Sequence, residues 1–140
     1  MDWIDQLIVG VFETYNTNDP FDILNEMDVQ ISKVEKFSPI LLKKNCMYVA
    51  ELNKVFIRND LVLNYELFYL RHELGHILLH LDSNNLLIVN NRKIEKEANY
   101  FAFKLSNITF DEVELYQMSL EQICSSLQIP YNAVNQLVNI

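Results

Sequence analysis

The run YELFYLRHELGHILLHL, Tyr65 to Leu81, holds no proline and one glycine, and it dictates how the rest of the chain must be built. Its apolar residues recur at helical spacing and predict a helix over 64–81. At about 100° per residue, Leu70, Leu74, Ile77, Leu78 and Leu81 centre on one side. His72 and His76 point nearly opposite, flanked by Tyr65, Phe68, Tyr69 and Leu79. A helix apolar on both sides must be covered on both sides. Two imidazoles in such surroundings carry a desolvation cost unless they find partners, and a shared metal ion satisfies both.

The order of residues gives that ion a chemistry. His72-Glu73-Leu74-Gly75-His76 is HExxH, with the histidines one turn apart and about 40° apart around the axis. Two imidazoles on one face grip one zinc ion. Glu73, about 60° from His76, is close enough to meet an activated water without being a ligand, the general-base position. His80 lies about 80° from His72 and drifts off the ligand face, as a packed or supporting histidine.

A catalytic zinc needs a third protein ligand and one open position. Asp82 is a weak candidate, because Leu79 stands where a glycine would be needed to turn the chain back towards the metal. Glu95 and Glu97 fall on opposite margins of the next helix, and its periodicity hardly separates them. Asn99, four residues after Glu95 and on the same side, is placed to orient a ligand histidine through its free ring nitrogen. It tips the choice to Glu95. Glu97 is then expected to be a solvated charge pairing with Lys93 or Lys104. A structural zinc site is the rival, and it would fill the fourth position with Asp82 or Glu97.

The remaining elements are short. Ile4, Leu7, Ile8, Val11, Phe12 and Tyr15 mark an amphipathic helix with Asp2 as its cap, and Asp19-Pro20 opens a second, so helices are expected within 2–27. Alternation at Val29, Ile31 and Val34, then Cys46 to Leu52 and Val55 to Arg58 around Asn53-Lys54, predicts a small sheet within 29–58. Ile94, Ala98, Phe101, Ala102 and Leu105 form one face of a helix over 92–105. Thr109-x-x-Glu112, Ser119-x-x-Gln122 and Pro130 signal short helices over 109–140. With 140 residues, half of them apolar, and only two glycines and three prolines, a single domain over 1–140 is expected. The fold class is α+β: a mainly helical domain with a small, mostly antiparallel three-stranded sheet and a zincin-like helix carrying HExxH.

Eleven Lys plus Arg against nineteen Asp plus Glu leave a formal charge of -8, a field that repels nucleic-acid phosphates and anionic membranes. Ser119 to Ile140 has the rhythm of a helix-turn-helix. No Lys or Arg follows Lys104, however, so the cations that phosphate contacts require are missing there. No apolar run approaches the roughly 18 residues that span a bilayer, and the start is acidic, so a cytoplasmic chain is expected. Cys46 and Cys124 are isolated, and neither a disulfide framework nor a cysteine zinc site is indicated.

HELGHILLH followed by EKEANYFAFKL resembles the ImmA/IrrE family of zinc metallopeptidases of phages and mobile elements, over about residues 20 to 140. The resemblance implies zinc ligation by His72, His76 and Glu95, with Glu73 as catalytic acid/base, in a gluzincin-like metalloendopeptidase. It departs from the family pattern at Leu105-Ser106-Asn107-Ile108. It further implies site-specific cleavage of a DNA-binding helix-turn-helix repressor, which an acidic surface would attract. The alternative is a zinc-binding anti-repressor or antitoxin-like protein that binds without cutting. Tyr48, Tyr65 and Tyr69 are the candidates for stabilising an oxyanion.

Overall fold

In a computed structural model of the chain, residues 1–80, 91–108 and 116–138 are described. The order is α1 (Asp2–Tyr15), α2 (Pro20–Glu26), β1 (Gln30–Val34), β2 (Cys46–Val49), β3 (Lys54–Arg58), α3 (Leu63–His80), α4 (Asn91–Leu105), α5 (Leu120–Leu127) and α6 (Tyr131–Val138). Helices dominate and one small sheet sits among them, an α+β architecture.

Local chemistry explains most boundaries. Asp19 caps α2 by accepting from the Phe21 amide at 2.9 Å, with Pro20 in the first helical position, where no amide hydrogen is required. Ser119 and Gln122 form a reciprocal capping box at α5. At α1 the cap is Met1, and Asp2 is already helical, its carboxylate adding negative charge to the first turn. The Thr109-x-x-Glu112 signal and Asp82 lie outside the described residues.

The three strands lie in the order β1-β3-β2 and form a mixed sheet. β2 runs antiparallel to β3, from Cys46 opposite Ile57 to Val49 opposite Lys54. β1 runs parallel to β3, from Gln30 opposite Lys54 to Val34 opposite Arg58. The parallel pair, where mostly antiparallel pairing is expected from sequence, follows from the insertion of β3. Strands that alternate in direction along the chain become parallel neighbours when the third enters between the first two. The β2–β3 connection is also longer than Asn53-Lys54 alone. Ala50–Leu52 form a 3-10 turn and Asn53 takes a left-handed conformation at φ 48, which asparagine tolerates better than most residues.

α3 is the central element. Its buried residues, Glu66, Phe68, Leu70, Arg71, Glu73, Leu74, Gly75 and Ile77, surround the axis. Leu70, Leu74 and Ile77 join Ile4, Ile8, Val11, Ile23, Leu24, Val55, Ile57, Phe101 and Leu105 in the main core. Phe68 faces a second cluster with Ala102, Cys124, Ile129 and Val134, which seats α5 and α6. The polar residues buried on α3 are partnered. Glu66 meets Lys33 of β1 at 3.2 Å, and Arg71 donates to the Asn18 carbonyl at 3.0 Å and the Ser106 hydroxyl at 3.3 Å. Among the described residues, no helix is long and apolar enough to cross a membrane.

Candidate metal centre

The site begins with how closely α3 and α4 approach. Gly75 offers no side chain to the interface, and a Cβ there would stand 3.0 Å from Cδ1 of Phe101 and 3.3 Å from its Cβ and Cγ. Phe101 is fully buried and fills that space. This contact draws the first turns of α4, with their glutamates, up to the histidine face of α3.

The carboxylate of Glu95 lies against both ring nitrogens of the motif. Its Oε2 is 3.0 Å from Nε2 of His72 and its Oε1 is 3.0 Å from Nε2 of His76, while the two Nε2 atoms are 3.0 Å apart. Ligand atoms around a tetrahedral zinc at about 2.0–2.1 Å stand about 3.3 Å from one another, so this triangle is close to the size required. His72, His76 and Glu95 are the single such metal-capable group among the described residues. Two imidazoles and one carboxylate suit a zinc-type ion and leave one position open.

The orientation of the first histidine is fixed from behind. Nδ1 of His72 donates to Oδ1 of Asn99 at 2.7 Å, and the Asn99 amide donates to Oε1 of Gln136 on α6 at 2.7 Å. With Nδ1 committed to Asn99, Nε2 is the ring nitrogen that His72 offers to a metal ion shared with Glu95 and His76. Gln136 has no recognisable signal in sequence, because it is brought to Asn99 by the packing of α6 on α4.

Charge is strongly coupled at this point. Burial works to raise the Glu95 carboxyl, but hydrogen bonds from His72 and His76 outweigh it and hold the group well below the usual carboxylate range. Burial likewise works to lower His72, and Glu95 with Glu73 reverses that, leaving the imidazole raised. Electron-rich atoms this close require a cation among them, whether protons or a metal ion.

Glu73 is buried, 7% exposed, close enough to His72 for its charge to raise that imidazole, and one of its oxygens is held by the sheet. Its Oε2 accepts from the Tyr48 amide of β2 at 3.2 Å. β2 borders β3 on one side only, so Tyr48 presents this amide on the free edge of the strand. Burial pushes the Cys46 thiol well up, and the negative charge of Glu73 adds to it.

The other residues singled out by sequence are placed as follows. Glu97 is 13% exposed and lies 3.3 Å from Nε2 of His80, so it is neither solvated nor paired with Lys93 or Lys104. The Lys104 ammonium stands instead over the Tyr100 ring. Nδ1 of His80 is 3.2 Å from Nδ1 of His76. The i, i+4 spacing of His76 and His80 was the available signal for this pair. The Tyr48 hydroxyl donates to Asn53 at 2.9 Å, and Tyr69 packs edge-on against Phe68. The Tyr48 hydroxyl is thus engaged outside the triangle.

Comparison with known proteins returns one family. A model described as Peptidase_M78, IrrE N-terminal-like domain, matches residues 41–138, from the loop before β2 to the end of α6. No curated protein and no solved structure gives a significant match. α1, α2 and β1 lie outside the matched span, which contains every residue of the triangle, Glu73, and their supporting groups. More than two thirds of the chain is covered, and the chain belongs to the Peptidase_M78 family of metallopeptidases, those with an IrrE N-terminal-like domain.

Proposed function

We propose that the chain is a zinc-dependent endopeptidase in which His72, His76 and Glu95 hold the metal and Glu73 moves the proton. The single observation that carries this reading is the triangle of two Nε2 atoms and one carboxylate with mutual approaches of 3.0 Å. Zinc held there would act as a Lewis acid, polarising the scissile carbonyl and making water a nucleophile near neutral pH. Glu73 accepts the proton of that water and returns it to the leaving amine. The Tyr48 amide holds one oxygen of Glu73 and leaves the other for the proton. Asn99 keeps His72 aimed.

The proposed substrate is a DNA-binding repressor of the helix-turn-helix type, cut in the cytoplasm to release genes of a phage or mobile element. Its support is the family resemblance and charge. The chain carries -8, and its sequence has no Lys or Arg after Lys104, so it suits a basic protein better than it suits DNA. Where the sequence has a helix-turn-helix rhythm, α5 and α6 turn Cys124 and Val134 into the core, with Ile129 buried between the two helices.

The test incubates the purified chain with the repressor encoded beside it and compares Glu73→Gln. Cleavage by the parent chain is expected, with a loss of about 10²–10⁴-fold in Glu73→Gln and retained zinc. Equal derepression by both proteins would overturn the enzyme in favour of binding without cleavage.

A further inference from the structure

We infer that Glu97 and His80 form a hydrogen-bond chain that fixes the tautomer of His76 and so sets the affinity of the metal site. Neither residue touches the triangle of ligand atoms, and both act through His76 as positioning residues. This inference rests on the zinc reading above.

The direction of the chain follows from what each atom can do. The Glu97 carboxylate only accepts, so the hydrogen on its 3.3 Å contact belongs to Nε2 of His80. A neutral His80 with its proton on Nε2 has a lone pair on Nδ1. That lone pair faces Nδ1 of His76 at 3.2 Å, so His76 is the donor there. With its proton on Nδ1, His76 turns the lone pair of Nε2 into the triangle with Glu95 and His72. His72 reaches the same state by a separate route through Asn99 and Gln136. Each ligand histidine therefore has its own anchor, an amide pair for one and an imidazole backed by a carboxylate for the other.

The surroundings suit this role. The side chains of His80 and Glu97 are 10% and 13% exposed, so water competes little for their hydrogen bonds. They come from two helices, one turn beyond His76 on α3 and two residues beyond Glu95 on α4. The helix pair that brings in the third ligand thus also brings in the carboxylate that orients the second. A charged partner behind a ligand imidazole also raises its basicity as a donor to metal.

Zinc affinity is measured by chelator competition on the whole chain and on His80→Ala, Glu97→Ala, the double variant and His80→Asn. The Asn side chain places a carbonyl oxygen where Nδ1 of His80 stands and cannot reach Glu97. His80→Ala is expected to weaken zinc about 10–100-fold, and His80→Asn to recover most of that loss. Glu97→Ala is expected to weaken zinc in the parent chain and to change nothing further when His80 is already alanine. Thermal unfolding in chelator checks that each variant is folded. His80→Ala binding like the parent, His80→Asn binding no better than His80→Ala, or Glu97→Ala costing the same in both backgrounds would each overturn the chain of hydrogen bonds alone. A parent chain that takes up no zinc would overturn the proposed function with it.

Discussion

Gly75→Ala tests the helix contact on which the site depends. No glycine in the chain has positive φ, so alanine is allowed at position 75 by the backbone and its helix propensity favours it by about 0.8–1.0 kcal/mol. Against that stands the new methyl, 3.0 Å from Cδ1 of Phe101 and 3.3 Å from its Cβ and Cγ. The Phe101 ring is fully buried and cannot swing into solvent, and its Cβ moves only with α4 itself. Overpacking of this kind costs about 1–3 kcal/mol, and the upper half of that range applies here. The net expectation is a loss of about 1–2 kcal/mol, or about 2–8 °C in Tm. Because α4 carries Glu95 and Asn99, zinc affinity falls as well. Urea unfolding of the metal-free protein and chelator competition measure the two effects. A variant that is more stable by the full helix gain and binds zinc unchanged would refute the argument.

Two further perturbations separate support of the site from support of the fold. Asn99→Ala removes the acceptor that holds His72 and is expected to weaken zinc about 10–100-fold while leaving Glu95 in place, read by the same competition. Tyr100 donates to Asp5 of α1 at 2.8 Å, and burial together with that bond pushes its hydroxyl up to about 12. A raised folded-state pKa contributes stability that is complete below the unfolded value near 10 and is lost as pH rises towards 12. Stability measured over that window should fall less steeply in Tyr100→Phe, and an identical slope would contradict the link between α1 and α4.

Much of the site is legible in sequence because HExxH is local. His72, Glu73 and His76 have relative positions that the helix alone dictates, and α3 supplies that helix as Leu63–His80. What the helical period could not separate was Glu95 from Glu97, since both flank the apolar face of α4. The choice depends on how α4 lies across α3, which Phe101 and Gly75 decide through a contact distant in sequence. For the same reason Glu97 reads as a surface charge in sequence and is found against His80. The sheet repeats the lesson. The alternation of β1 and the hairpin of β2 and β3 are local, whereas the parallel pairing of β1 with β3 depends on the last strand entering between the first two.

Metal analysis of the purified chain beside His76→Ala decides whether His72, His76 and Glu95 hold one zinc ion. About one zinc per chain is expected in the parent and loss of it in the variant, with the fold retained. A parent chain without stoichiometric zinc, or a His76→Ala protein that keeps it, would contradict the claim.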